Sequence, residues 1–105
     1  MKSIIIQPEN IGYCCICGKP YVEEHHCFGG NANRRLADED GLTLPLCPEH
    51  HNSGNMSVHM NKEMKVMSHM IGQLAYELEM VSTGQVKTKE EAKEMFRHRY
   101  GKSYL

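Results

Sequence analysis

Apolar positions recur at helical spacing only in the second half of the chain. From about Val58 to Val81, residues Met60, Met64, Met67, Ile71, Leu74 and Leu78 follow one another at steps of 4, 3, 4, 3 and 4, a heptad seam that predicts one long helix. A Met-rich stripe of this kind most often packs a core, with a dimer seam as the alternative. Thr83-Gly84 ends the pattern. Thr88-Lys89-Glu90-Glu91 is a capping box. It opens a last helix expected to bury Ala92, Met95, Phe96 and Tyr100 and to stop at Gly101.

The first half is punctuated instead by Gly, Pro and Cys. Ser3–Gln7 reads as a short strand stopped by Pro8, and Tyr21–Phe28 as a strand closed by Gly29-Gly30. Leu42–Leu46 reads as a further short strand, which Pro45 places at a sheet edge. Asn31 to Gly41 reads as a polar loop. Cys14–Lys19 reads as a knuckle turn, with Gly18 supplying the backbone freedom. Pro48 suits the first turn of a helix carrying His50 and His51. The expectation is a small α+β domain: a metal-stapled ββα module over residues 1–59, then two helices over 60–105 as an extension of the same domain.

Composition changes this picture in one respect. With 105 residues, two Phe, five Tyr and no Trp, the core is thin for its surface, and a structural metal would supply folding energy the core lacks. Five cysteines with no secretory leader point to a reduced, intracellular compartment rather than to disulfides. No apolar run is long enough to span a bilayer. The net charge is −1, unevenly placed: residues 1–84 hold six basic and ten acidic side chains, residues 85–105 six and three. The basic end, with Lys93, Arg97, His98, Arg99 and Lys102, is either a phosphate-facing surface or a solvated helix face.

The chemistry lies in Cys and His. Cys14-x-x-Cys17 and Cys47-x-x-His50 are two short-spaced pairs, each letting one turn present two ligands to one point, and together they make a closed zinc set. Cys15 and Cys27 are left over as small buried hydrophobes. His25, His26, His51 and His59 are not needed for that zinc. Neighbours on a strand face opposite ways, so His25 and His26 divide their roles: one binds a metal, the other faces the attacking water. His69 and His98 fall outside the cluster and are read as structural.

The stretches Glu24-His25-His26-Cys27-Phe28-Gly29-Gly30 and Gly41 to Asn52, with the Cys-x-x-Cys knuckle before them, resemble HNH endonucleases of the ββα-metal, treble-clef-like kind. They are most similar to short phage and prophage forms grouped with RecA-dependent recombination nucleases. The resemblance runs from Tyr13 to about His59, and more weakly through the helical remainder. It implies a hydrolase that nicks DNA with loose sequence preference. In it His26 is the general base, and His25 and His51 hold a catalytic Mg²⁺ or Mn²⁺, with His59 as a third ligand or a phosphate contact. Structural Zn²⁺ would sit on Cys14, Cys17, Cys47 and His50, and imidazole ligands would also admit other transition metals. Arg34, Arg35, Arg97 and Arg99 are the candidate nucleic-acid contacts. The asparagine that orients the base in the family has no clean counterpart: Asp40, Gly41 and Leu42 stand at its place and Asn33 is displaced, which leaves a backbone carbonyl as one substitute. The implied setting is the cytoplasm of a bacterial host, with DNA, a recombinase or other phage protein, or a second copy of the chain as partners. The rival reading is a non-catalytic zinc module that binds nucleic acid or protein.

Overall fold

Strand β1, Glu23–His26, pairs antiparallel with β2, Thr43–Leu46, in the register Glu23–Leu46, Glu24–Pro45, His25–Leu44 and His26–Thr43. The computed structural model describes Met1–Leu105 throughout. Its architecture is α+β: one two-stranded sheet, a helix α1 (Asn31–Asp40) between the strands, and helices α2 (Lys62–Ser82) and α3 (Lys89–Tyr100) after them.

Several expected elements form differently. Ser3–Gln7 is not a strand; it clasps the sheet through Ile4 N–H to the Gly41 carbonyl (2.8 Å) and Ser3 Oγ to the Thr43 carbonyl (2.7 Å). Asn31–Gly41, expected as a loop, is a helix. Its sequence is too polar to show an apolar stripe, with Ala37 its one buried residue, yet Ala, Arg, Leu and Glu are good helix formers. Gly41 closes it in the left-handed region at φ 72°, where a side chain would be strained. After β2, Glu49–Ser53 makes a π-type turn that carries His50 and His51.

α2 starts four residues later than expected, where the Asn61 side chain accepts from Met64 N–H, and Met60 stays outside it. The heptad seam is not the core face. Met60 and Leu78 are each 70% exposed, Met67 and Leu74 are exposed, and only Met64 and Ile71 are half-buried. The buried side is Ser68, Gly72, Gln73, Tyr76 and Glu77. Gly72 decides this: a Cβ there would lie 2.7 Å from Cys27 Cβ and 2.8 Å from Phe28 Cε2, so the helix backbone presses directly on the end of β1. α3 follows its sequence closely, with the Thr88–Glu91 capping box formed, Ala92, Phe96 and Tyr100 buried, and Gly101 at its end. Phe28 from the hairpin packs on Phe96 and Tyr100 at centroid distances of 5.3 and 4.8 Å, so one core joins hairpin and helices.

Candidate metal centre

The knuckle holds its shape through Cys14 N–H to the Lys19 carbonyl and Gly18 N–H to the Cys14 carbonyl, both 2.8 Å. Cys15 N–H, bonded to the Pro45 carbonyl at 2.9 Å, fastens the knuckle to β2. Cys47 follows β2 directly and His50 lies one turn on, so Cys14, Cys17, Cys47 and His50 bring four ligand atoms together. Their spacings suit a tetrahedral ion. Zn–S bonds of about 2.3 Å give tetrahedral edges of about 3.8 Å between sulfurs and about 3.6 Å between sulfur and imidazole nitrogen. The structure has Cys17 Sγ 3.7 Å from Cys47 Sγ, and His50 Nδ1 3.3 Å from Cys47 Sγ and 3.9 Å from Cys14 Sγ. Burial pushes the Cys14 thiol up, but backbone bonds at Cys47, Cys17 and Ile16 outweigh it and bring the group down to about 6, which favours the thiolate a metal needs. The cluster could hold a metal such as zinc. Of the two spare cysteines, Cys27 is buried, with its thiol pushed up to about 12, whereas Cys15 is exposed rather than a core residue.

A second cluster lies on the other side of the turn. His25 points inward from β1, His51 comes from the π-type turn and His59 from the segment after it; their ligand atoms all lie within 4.8 Å of one another. His59 arrives there because Val58 N–H bonds the His50 carbonyl (2.9 Å) and His59 N–H the His51 carbonyl (3.1 Å), zipping the segment onto the turn. Each of two rings is held from behind. His51 Nδ1 donates to Glu23 Oε1 at 2.7 Å, which leaves its Nε2 facing His59 Nε2 at 3.1 Å. His25 Nε2 lies 2.8 Å from Ser68 Oγ, which leaves its Nδ1 free of that contact. Burial, then the nearby His51, His59 and His26, lower the His25 imidazole to about 3, so the ring stays neutral and keeps its lone pair at ordinary pH.

His26 faces the opposite way and meets carboxylates: Asp38 Oδ1 at 3.2 Å and Glu24 Oε1 at 3.9 Å from its Nε2. Arg34 Nε sits 3.5 Å from its Nδ1. The two histidine sets nevertheless share one open cleft of about 360 Å³, lined by Glu24, His25, His26, Arg34, His51 and His59 among others.

The partner of His26 is thus Asp38 on α1, not Asn33 or Asp40. Asn33 donates to the Tyr100 carbonyl (3.2 Å), and Asp40 binds Arg99 (2.6 and 2.8 Å) and the Tyr100 hydroxyl (2.6 Å). Among the arginines, Arg34 alone lines the cleft. Arg35 pairs with Glu39 and Arg97 with Glu94 on their own helices, and Arg99 ties α3 to Asp40 and Glu39. Sequence reading passed over Glu23, Glu24, Asp38 and Ser68. Strand alternation puts Glu23 on the His25 side and Glu24 on the His26 side, and was the available signal for those two. Ser68 and Asp38 had none, being brought in by helix packing. No helix is long and apolar enough to cross a membrane. Comparison with protein families, with curated proteins and with solved structures returns no match.

Proposed function

We propose that the chain is a metal-dependent endonuclease of the HNH, ββα-metal type that hydrolyses DNA phosphodiesters, nicking with little sequence preference. The observation that carries this is the shared cleft: three converging imidazoles, a fourth histidine held by a carboxylate, and a guanidinium with no carboxylate partner, beside a separate four-ligand cluster suited to structural zinc. His25, His51 and His59 would hold the catalytic ion, Mg²⁺ or Mn²⁺, though an all-imidazole set suits transition metals better. When bound, the ion supplies positive charge for the developing negative charge on phosphate and leaving oxygen.

The chain's own groups do the rest. With Nε2–H of His26 directed to Asp38, Nδ1 is the nitrogen left to accept a proton from the attacking water. Arg34, whose bond to that Nδ1 is long at 3.5 Å, can turn its guanidinium to a non-bridging phosphate oxygen. Hydrolysis in line would leave a 3′ hydroxyl and a 5′ phosphate. A phage or prophage setting in a bacterial cytoplasm, with a recombinase or a second copy as partner, rests on the sequence resemblance.

Zinc-loaded protein incubated with supercoiled plasmid and Mg²⁺ or Mn²⁺ should convert it to the nicked form, and His26→Ala should lose on the order of 10² or more of the rate. A folded, zinc-loaded wild type that nicks with neither ion would overturn the enzyme and leave a binding module.

A further inference from the structure

Beyond His59 the cleft continues into a second hollow of about 170 Å³, lined by His25, His26, His59, Lys65, Ser68 and His69 among others. Lys65 and His69 stand one turn apart on α2 and share a face. His69 lies flat on the buried Phe28 ring (centroids 5.7 Å, planes 11° apart) and against Tyr104 (4.5 Å). Lys102 Nζ sits 4.9 Å from the centre of the Tyr104 ring. A row of ring faces therefore leads from the core to Lys102, with Lys65 beside it.

The charge here differs from that of the arginines on α1 and α3. Arg35, Arg97 and Arg99 are neutralised by carboxylates, whereas Lys65 and Lys102, like the other lysines, take part in no ion pair, and no carboxylate lines the hollow. Burial, then Lys65 and Lys102, lower the His69 imidazole, which places both ammonium groups within electrostatic reach of one ring. Lys65 at the hollow and Lys102 over the Tyr104 ring that packs on His69 lie beside the cleft that the nuclease reading assigns to one phosphodiester, and a polyanionic chain leaving that cleft would meet both cations.

We propose that this hollow carries the backbone of bound DNA away from the cleft, with Lys65 and Lys102 each binding a phosphate that flanks the one at the histidines. The proposal rests on the nuclease reading of the site. It assigns phosphate binding to α2 and the C-terminal tail rather than to the arginine run of α3.

The test is binding of a fluorescently labelled DNA duplex at several salt concentrations, using zinc-loaded His26→Ala protein so that the duplex stays intact. Adding Lys65→Ala and Lys102→Ala should reduce the slope of log affinity against log salt by about 1.8, at about 0.9 per phosphate, and weaken binding roughly tenfold or more at 0.1 M salt. Lys89→Ala, at the opposite end of α3, should change neither. An unchanged slope in the double variant, an equal loss with Lys89→Ala, or no binding by the parent overturns the path. The two readings fail separately. A wild type that nicks while the double variant keeps its slope loses the path and keeps the nuclease. A reduced slope in a chain that never nicks does the reverse.

Discussion

Glu23 and Ser68 each engage one ring nitrogen of a clustered histidine, His51 and His25. A carboxylate behind a ligating imidazole fixes its tautomer and raises its basicity. At 2.7 Å the Glu23–His51 bond is short enough to do both. Glu23→Gln keeps the shape but removes the charge, and should weaken Mn²⁺ binding roughly 10- to 100-fold while zinc content stays the same. Titration of zinc-loaded protein followed by the paramagnetic signal of free Mn²⁺ reads this directly; an unaltered affinity would detach Glu23 from the metal site. Burial does for His25 what a partner does for His51. A ring held at about 3 presents a neutral lone pair without competition from protons near neutrality.

At the level of elements, α2 carries two faces that the hydrophobic pattern assigns the wrong way round. Its apolar stripe is exposed except at Met64 and Ile71, and its buried side is Ser68, Gly72, Gln73, Tyr76 and Glu77, with Gly72 against Cys27 and Phe28. The reason is distance: a helix that must lie against a strand end already crowded by an aromatic ring approaches best where it has no side chain. Ser68, one turn before Gly72, is thereby delivered to His25. Gly72→Ala should gain up to about 1 kcal/mol of helix propensity and still lose about 1–3 kcal/mol net through overpacking. A lower urea midpoint checks it, together with weaker binding at the histidine cluster; an unchanged or higher midpoint would mean the contact is not tight.

For the molecule as a whole, one buried core runs from Cys14 and Cys47 to the helices, and a metal on the four-ligand cluster would add a second centre of cohesion. The aromatic core of Phe28, Tyr76, Phe96 and Tyr100 joins hairpin to helices, while the knuckle, β2 and the π-type turn meet mainly at Cys14, Cys17, Cys47 and His50. Removing one ligand of a structural zinc set costs folding energy outright. Cys14→Ser, or prolonged chelation, should therefore lower the thermal midpoint by more than 10 °C, since 1 kcal/mol shifts a domain of this size by about 4–8 °C. His26→Ala should melt with the wild type. Melting followed by circular dichroism separates the two, and a chelated protein that melts unchanged would remove the metal from the folding account.

The sequence by itself determined what is local. Two ligand pairs at three-residue spacing and the Thr88–Glu91 cap each depend on contacts within a few residues, and such contacts leave a readable spacing. Tertiary structure alone decided the rest. Whether α2 turned its Met-rich or its Gly72 face inward depended on the bulk of Phe28. Whether Asn31–Gly41 was helix depended on docking a segment with almost no apolar signal of its own. That Asp38 holds His26, that Ser68 backs His25, and that His69 meets Tyr104 of the tail follow from those two packings. The residues involved are 12 to 43 positions apart, or lie on elements the chain pattern left unpaired, and at such separations spacing carries no record of contact.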